Sequence, residues 1–315
     1  MPNSIRLAAL LVAARLLCGP ANAAETIAIP WNGEFAHNSN HHWSSKDKMY
    51  ADSGFSRFFK NGTPEEAHVV KKDGELKAEI LPPTDVTGRP PFVVLLHGCG
   101  GLDTLTQMWT HHVADSFNAE GIGVLVLDSF STRGVEKTCG WPDLHWGRRR
   151  ADDAYSALDY LVEHKLAKAD EIYIMGYSNG GTTTLVAITR QERDHPRHFA
   201  GAFALAPSCF SDTVRDGQYL APLVAFLADQ DNANDPTLCL KIKTKKDPKP
   251  VHLIEYMGAN HGFMLNGANH VYNSWKLSFN PNAEKDMMQT IIAAIKTKKF
   301  GSAVEVRPVG AAELK

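Results

Sequence analysis

The stretch Glu171-Ile172-Tyr173-Ile174-Met175-Gly176-Tyr177-Ser178-Asn179-Gly180-Gly181 decides the fold. Ile172 to Met175 is a short apolar run rich in β-formers, long enough for a buried strand. It runs into Gly176-Tyr177-Ser178-Asn179-Gly180, a G-x-S-x-G pattern, and Thr182 to Thr189 can continue as a helix. In a strand–turn–helix of this kind the serine stands at the apex of a tight turn, its hydroxyl projecting from the carboxyl edge of the sheet. Flanking glycines leave room where a Cβ would strike a neighbouring strand or helix. The next backbone N–H, that of Asn179, can then point at the oxygen of a reacting carbonyl. A bare G-x-S-x-G arises by chance in roughly one chain in ten of this length. The weight therefore falls on the surrounding elements and on partners for the serine.

Working outward, Phe92-Val93-Val94-Leu95-Leu96 is a continuous apolar run, the pattern of a strand buried on both faces. It leads directly into His97-Gly98-Cys99-Gly100-Gly101. Ile122 to Leu127 is a second such strand, ending at Asp128, and Glu75 to Leu81 reads as an edge strand closed by Pro82-Pro83. Phe199 to Leu205, Leu223 to Leu227 and Val251 to Tyr256 supply three more. Between them, Ala151, Ala154, Leu158, Leu161 and Val162 recur at helical spacing, as do Met287, Met288, Ile291, Ile292 and Ile295. Strands alternating with helices predict one α/β domain with a mostly parallel sheet. The expected division is a signal peptide over 1–23, a wrapping segment over 24–66, the α/β domain over 67–300 and a tail over 301–315.

A serine hydroxyl is a poor nucleophile until a base removes its proton, and the base needs an orienting acid. In this architecture the chain order is serine, acid, histidine. Past the strand Leu223 to Leu227 lie Asp229 and Asp231, with Asp235 beyond; Asp231 sits further into the loop, with more freedom to reach a histidine. After the next strand comes Gly258-Ala259-Asn260-His261-Gly262-Phe263, where glycine-flanked His261 is the natural base. The oxyanion hole needs two N–H donors. Asn179 offers one, and the glycine-rich loop at 97–101 offers the other through the backbone of Cys99 or of Gly100.

Charged residues make up 22% of the chain and the net charge is −2, which gives no footprint for nucleic-acid binding. The basic runs Lys241 to Lys249 and Lys296-Thr297-Lys298-Lys299 carry no interleaved aromatic residues and read as solvated faces; Arg133 and Arg148, Arg149 and Arg150 could greet an acidic substrate but read rather as solvated or helix-flanking. His37, His41 and His42 lie close together, but no cysteine joins them and Asp47 and Asp52 show no ligand spacing, so no metal is expected. Arg6, the apolar run Leu7 to Ala14, and Ala21-Asn22-Ala23 form a basic start, an apolar centre interrupted by Arg15 further on, and an A-x-A end. That pattern predicts export to the periplasm or outside the cell, with cleavage after Ala23 and no membrane anchor. Cys99, Cys139, Cys209 and Cys239 would remain, an even number in an oxidising compartment. Three pairings are open; Cys99 with Cys139 and Cys209 with Cys239 is the expectation, each lying shortly after a strand end.

With these residues in view, the chain resembles the dienelactone hydrolase family of α/β-hydrolases. The resemblance rests on HGCGG at 97–101, DSF at 128–130, GYSNGG at 176–181, Asp231, and NHGF at 260–263, and covers Leu76 to Ile295. It implies Ser178 as nucleophile, Asp231 as acid and His261 as base. The name-giving enzymes carry cysteine at the elbow where this chain has serine, which favours a more general ester or lactone hydrolase acting on a small molecule without a cofactor. An acyltransferase sharing the triad, and a non-catalytic binding protein on the same fold, are the alternatives. A serine peptidase of this fold would usually add a propeller or cap domain, for which the chain has little room.

Overall fold

The computed structural model describes residues 24–30, 74–84, 86–133, 136–139, 144–189, 195–243 and 249–310, with the backbone alone for 144–148. The signal-peptide segment, the histidines at 37, 41 and 42, and most of the expected wrapping segment lie outside the described residues.

Strands β1 (Glu25–Pro30), β2 (Glu75–Leu81), β3 (Phe92–Leu96), β4 (Gly123–Asp128), β5 (Ile172–Tyr177), β6 (Gly201–Leu205), β7 (Leu223–Ala228), β8 (Val251–Met257) and β11 (Val304–Pro308) form one sheet. Its order is β1-β2-β4-β3-β5-β6-β7-β8-β11. The pairs β1–β2 and β2–β4 are antiparallel, and every later pair is parallel. From β3 the chain goes out to β4 on one side, then returns to β5 on the other, so the strand order reverses at β3 and β5. The crevice beyond the carboxyl ends at such a reversal is where α/β sheets place ligands. The loop at 97–101 and the serine turn both open there.

Helices α1 (Thr104–Asn118), α2 (Leu144–Glu163), α3 (Asn179–Ala187), α4 (Asp212–Asp216), α5 (Pro236–Cys239) and α6 (Pro281–Thr297) connect the strands. The apolar runs alternate across the sheet. Val93, Leu95, Tyr173 and Met175 pack with Trp109, Val113 and Phe117 of α1 and Met287 and Ile291 of α6. Val94, Leu96 and Ile174 pack on the other face with Ala151, Ala154 and Leu158 of α2 and Leu185 of α3. A period-2 strand covered on both faces needs apolar residues at every position, which is why these strands read as unbroken runs. Two helices also carry their own start signals. Asp103 caps α1 by accepting from Thr106 N at 2.8 Å. Asn280 caps α6 and Pro281 opens it.

Several expectations change. Residues 25–30, read as part of a wrapping segment, form the edge strand β1. Residues 304–308, read as tail, form the parallel edge strand β11. Both are short and half-exposed, so burial leaves little mark on their composition. The helix after Ser178 begins at Asn179 rather than Thr182. Strands β9 (Asn269–Tyr272) and β10 (Trp275–Ser278), not expected, pair as a hairpin whose turn residues Asn273 and Ser274 both have positive φ. The expected disulfides Cys99–Cys139 and Cys209–Cys239 are both present.

Candidate active site

Ser178 lies between the end of β5 and the start of α3, with φ 56° and ψ −117°. Conformations of this kind cost a non-glycine residue about 1–3 kcal/mol and persist only where the surroundings over-determine them. They do so here: the Ser178 N–H donates to the Leu205 carbonyl at 2.8 Å, and the Ser178 carbonyl accepts from Thr182 N at 2.9 Å. The glycines are explained by contact. A Cβ on Gly176 would lie 2.2 Å from the Gly180 carbonyl oxygen, and one on Gly180 would lie 2.5 Å from that of Leu96. The turn can be this tight only because those side chains are missing.

The structure brings the three expected partners together. His261 Nε2 lies 2.9 Å from Ser178 Oγ, and His261 Nδ1 lies 2.7 Å from Asp231 Oδ2. A carboxylate only accepts, so the Nδ1 proton faces Asp231 and the Nε2 lone pair faces the hydroxyl. The other carboxylate oxygen, Asp231 Oδ1, accepts from Ala233 N at 2.8 Å and Asn234 N at 2.9 Å. The imidazole and the carboxylate are both nearly sealed from solvent, at 2% and 3% exposure, which strengthens the ion-pair partnership on protonation. The competing aspartates have other duties. Asp229 accepts from Gly258 N at 2.7 Å, fixing the turn that carries His261, while Asp235 caps α5.

The rings of Tyr177 and Trp275 stand 5.2 and 6.4 Å from that of His261. Trp275 comes from the unexpected hairpin, which Asn232, next to Asp231, clamps: its amide donates to Ser274 O at 2.9 Å and its oxygen accepts from Lys276 N at 2.8 Å. No apolar periodicity announces a four-residue strand, so the sequence offered no signal for this wall of the site.

Across the crevice lies the loop at 97–101. Gly98 is packed so closely that an added Cβ would meet the Tyr177 ring at 3.2 Å and Ser178 Cβ at 3.6 Å. Among the described residues, neither the Cys99 nor the Asn179 amide has a backbone acceptor. The loop is tied down by the Cys99–Cys139 disulfide and by Thr138 N donating to Cys99 O at 2.8 Å.

The arginines depart from expectation. Arg133 is paired with Asp153 through both guanidinium nitrogens, at 2.6 and 2.7 Å, and its side chain is 2% exposed. Arg150 is fully buried, donating to Asn179 Oδ1 and to the His97 carbonyl, its guanidinium 5.0 Å above the Phe130 ring. Side-chain type and a run of three arginines say "surface"; only the fold reveals acceptors waiting in the interior. Burial, then the Arg150 charge, pushes the His97 pKa from 6.5 down to about 3, so this imidazole is neutral. Asp128 is opposed by burial, but the Ser131 side chain and the Ser131 and Phe130 N–H groups outweigh it and hold the carboxyl below its usual range.

Comparison with known proteins agrees with this architecture. The prolyl oligopeptidase family matches residues 109–219, less than half of the chain. The curated Bradyrhizobium protein "Probable 2-oxo-3-(5-oxofuran-2-ylidene)propanoate lactonase" is 25% identical over 206 residues, 62% of this chain and 82% of its own. Among solved structures, a candidate dienelactone hydrolase of Klebsiella pneumoniae superposes with a TM-score of 0.56 at 14% identity, covering 71% of this chain and 93% of that one. A Thermogutta terrifontis esterase gives 0.52 at 17%, covering 73% and 92%. A Mycobacterium tuberculosis puromycin-hydrolyzing peptidase gives 0.52 at 20%, but this chain spans only 39% of its length. The fold is that of the α/β-hydrolases. Dienelactone hydrolase-like structures are among those that share it.

Proposed function

We propose that the protein is a serine hydrolase that cleaves carboxylic ester or lactone bonds through an acyl-enzyme. The observation that carries this reading is the continuous hydrogen-bonded line from Asp231 through His261 to a Ser178 held at φ 56° on a glycine-flanked turn. A lactonase and esterases among its relatives support a carboxylic ester hydrolase. Ser178 Oγ attacks the carbonyl carbon while its proton passes to His261 Nε2, and Asp231 stabilises the imidazolium. The carbonyl π pair moves onto oxygen, where the Asn179 and Cys99 amides would receive the charge. Collapse expels the alcohol, which takes the proton from His261; water then repeats the sequence and releases the acid.

Export to an oxidising compartment belongs to the same proposal, supported by the two disulfides. The test of the activity is hydrolysis of p-nitrophenyl esters of increasing chain length, wild type beside Ser178→Ala. Hydrolysis by the wild type and its loss in the variant are expected. A variant that turns over like the wild type would sink the proposal.

A further inference from the structure

Arg150 has no part in the mechanism above, although it is fully buried and directly against the serine turn. Two of its acceptors are not arbitrary. Nη1 donates to the side-chain oxygen of Asn179, the residue that follows the nucleophile. Nη2 donates at 2.6 Å to the carbonyl of His97, the first residue of the loop that carries Cys99. One guanidinium thus joins the two segments that would supply the two oxyanion donors. Those segments follow different strands, β5 and β3, and neither the Asn179 nor the Cys99 amide has a backbone acceptor among the described residues. The neighbouring groups hold the cation in place. The Phe130 ring lies beneath it at 5.0 Å, and neutral His97 adds no competing charge.

We propose that Arg150 is a positioning residue for the oxyanion hole: its forked guanidinium sets the spacing of the Asn179 and Cys99 segments and places a buried positive charge behind the developing oxyanion. The proposal rests on the serine-hydrolase reading. The physical reason is differential. The ground-state ester carbonyl carries only partial charge, whereas the tetrahedral state carries a full one, so a fixed cation in a water-poor setting favours the latter. Two acceptors in different segments require a planar fork, which lysine lacks.

The predicted signature separates this role from plain structural support. Arg150→Met, once shown by thermal unfolding to be folded, should lose about 100-fold in kcat with KM moved by less than about threefold. Inhibition by an alkylboronic acid, which forms a tetrahedral serine adduct, should weaken by a similar factor. Arg150→Lys should recover only part of either loss. Asn179→Ala removes one acceptor while keeping the backbone N–H, and should lose about tenfold in kcat with the same unchanged KM. It serves as the deciding variant if Arg150→Met does not fold. Folded Arg150→Met with kcat near wild type, a fall in kcat with boronic-acid affinity unchanged, or an unaffected Asn179→Ala beside an unfolded Arg150→Met would each overturn the proposal. A wild type inert to esters and unlabelled by a fluorophosphonate would instead defeat the serine-hydrolase reading, and this inference with it. Active wild type with unaffected variants defeats the bridge alone.

Discussion

Asp231 holds His261 by one oxygen while two backbone amides occupy the other, so its orientation is set from both ends. Exchanging it for asparagine keeps the size but lets the amide N–H face the ring, favouring the tautomer that puts a proton between His261 and Ser178. Asp231→Asn should therefore lower kcat by about 10³–10⁴-fold; a loss below about tenfold would return the acid's role to another carboxylate. His97 gives a stability prediction with a defined sign. Its folded pKa of about 3 lies below the ordinary 6.5, so acidification protonates the unfolded chain first. The contribution is complete above 6.5 and is lost as pH falls towards 3. Denaturant unfolding across that window should show the wild type losing stability faster than His97→Gln, and parallel curves would contradict the buried neutral histidine. Residue identity was legible where chemistry demanded a type and a spacing: glycines around Ser178, a glycine-flanked His261 after the strand Val251 to Tyr256. The preference for Asp231 over Asp229 was legible only as loop position, while the geometry explains it, since Asp229 is committed to Gly258. Arg150 was illegible, because nothing local distinguishes a guanidinium with interior acceptors from one in water.

At the scale of elements, the loop at 97–101 has no regular structure and relies on ties: Arg150 from below, Thr138 and the Cys99–Cys139 disulfide from the side. By the chain-entropy argument, a cross-link across 40 residues stabilises by roughly 4 kcal/mol. Cutting this one should do more than lower stability. The Cys99→Ser/Cys139→Ser pair should depress both Tm and kcat, whereas Cys209→Ser/Cys239→Ser, which ties no residue of that loop, should depress Tm with kcat nearly kept. Calorimetry beside steady-state kinetics checks this, and equal kcat losses in the two pairs would contradict it. The central strands were legible because burial on both faces writes an apolar residue at each position. The edge strands β1 and β11 and the β9–β10 hairpin were not, since half-exposed strands need only a few apolar contacts and take their pairing from neighbours.

Across the whole molecule, the sheet separates two apolar layers and leaves its carboxyl edge as the meeting place of loops from β3, β5, β7 and β8. The proposed nucleophile, base, acid and oxyanion donors thus come from chain positions 99 to 261 without any one loop having to hold them all. Alternation of strand and helix along the sequence was enough to read that architecture, because a parallel sheet admits few connections. The central claim, that Ser178 is the nucleophile, is tested most directly by exposing the protein to a fluorophosphonate and measuring intact mass, then mapping the label by peptide fragmentation. One phosphonyl group per chain on Ser178, absent from Ser178→Ala and slowed in His261→Ala, is the predicted result. An unlabelled wild type, or a label on another residue that survives in Ser178→Ala, would contradict it.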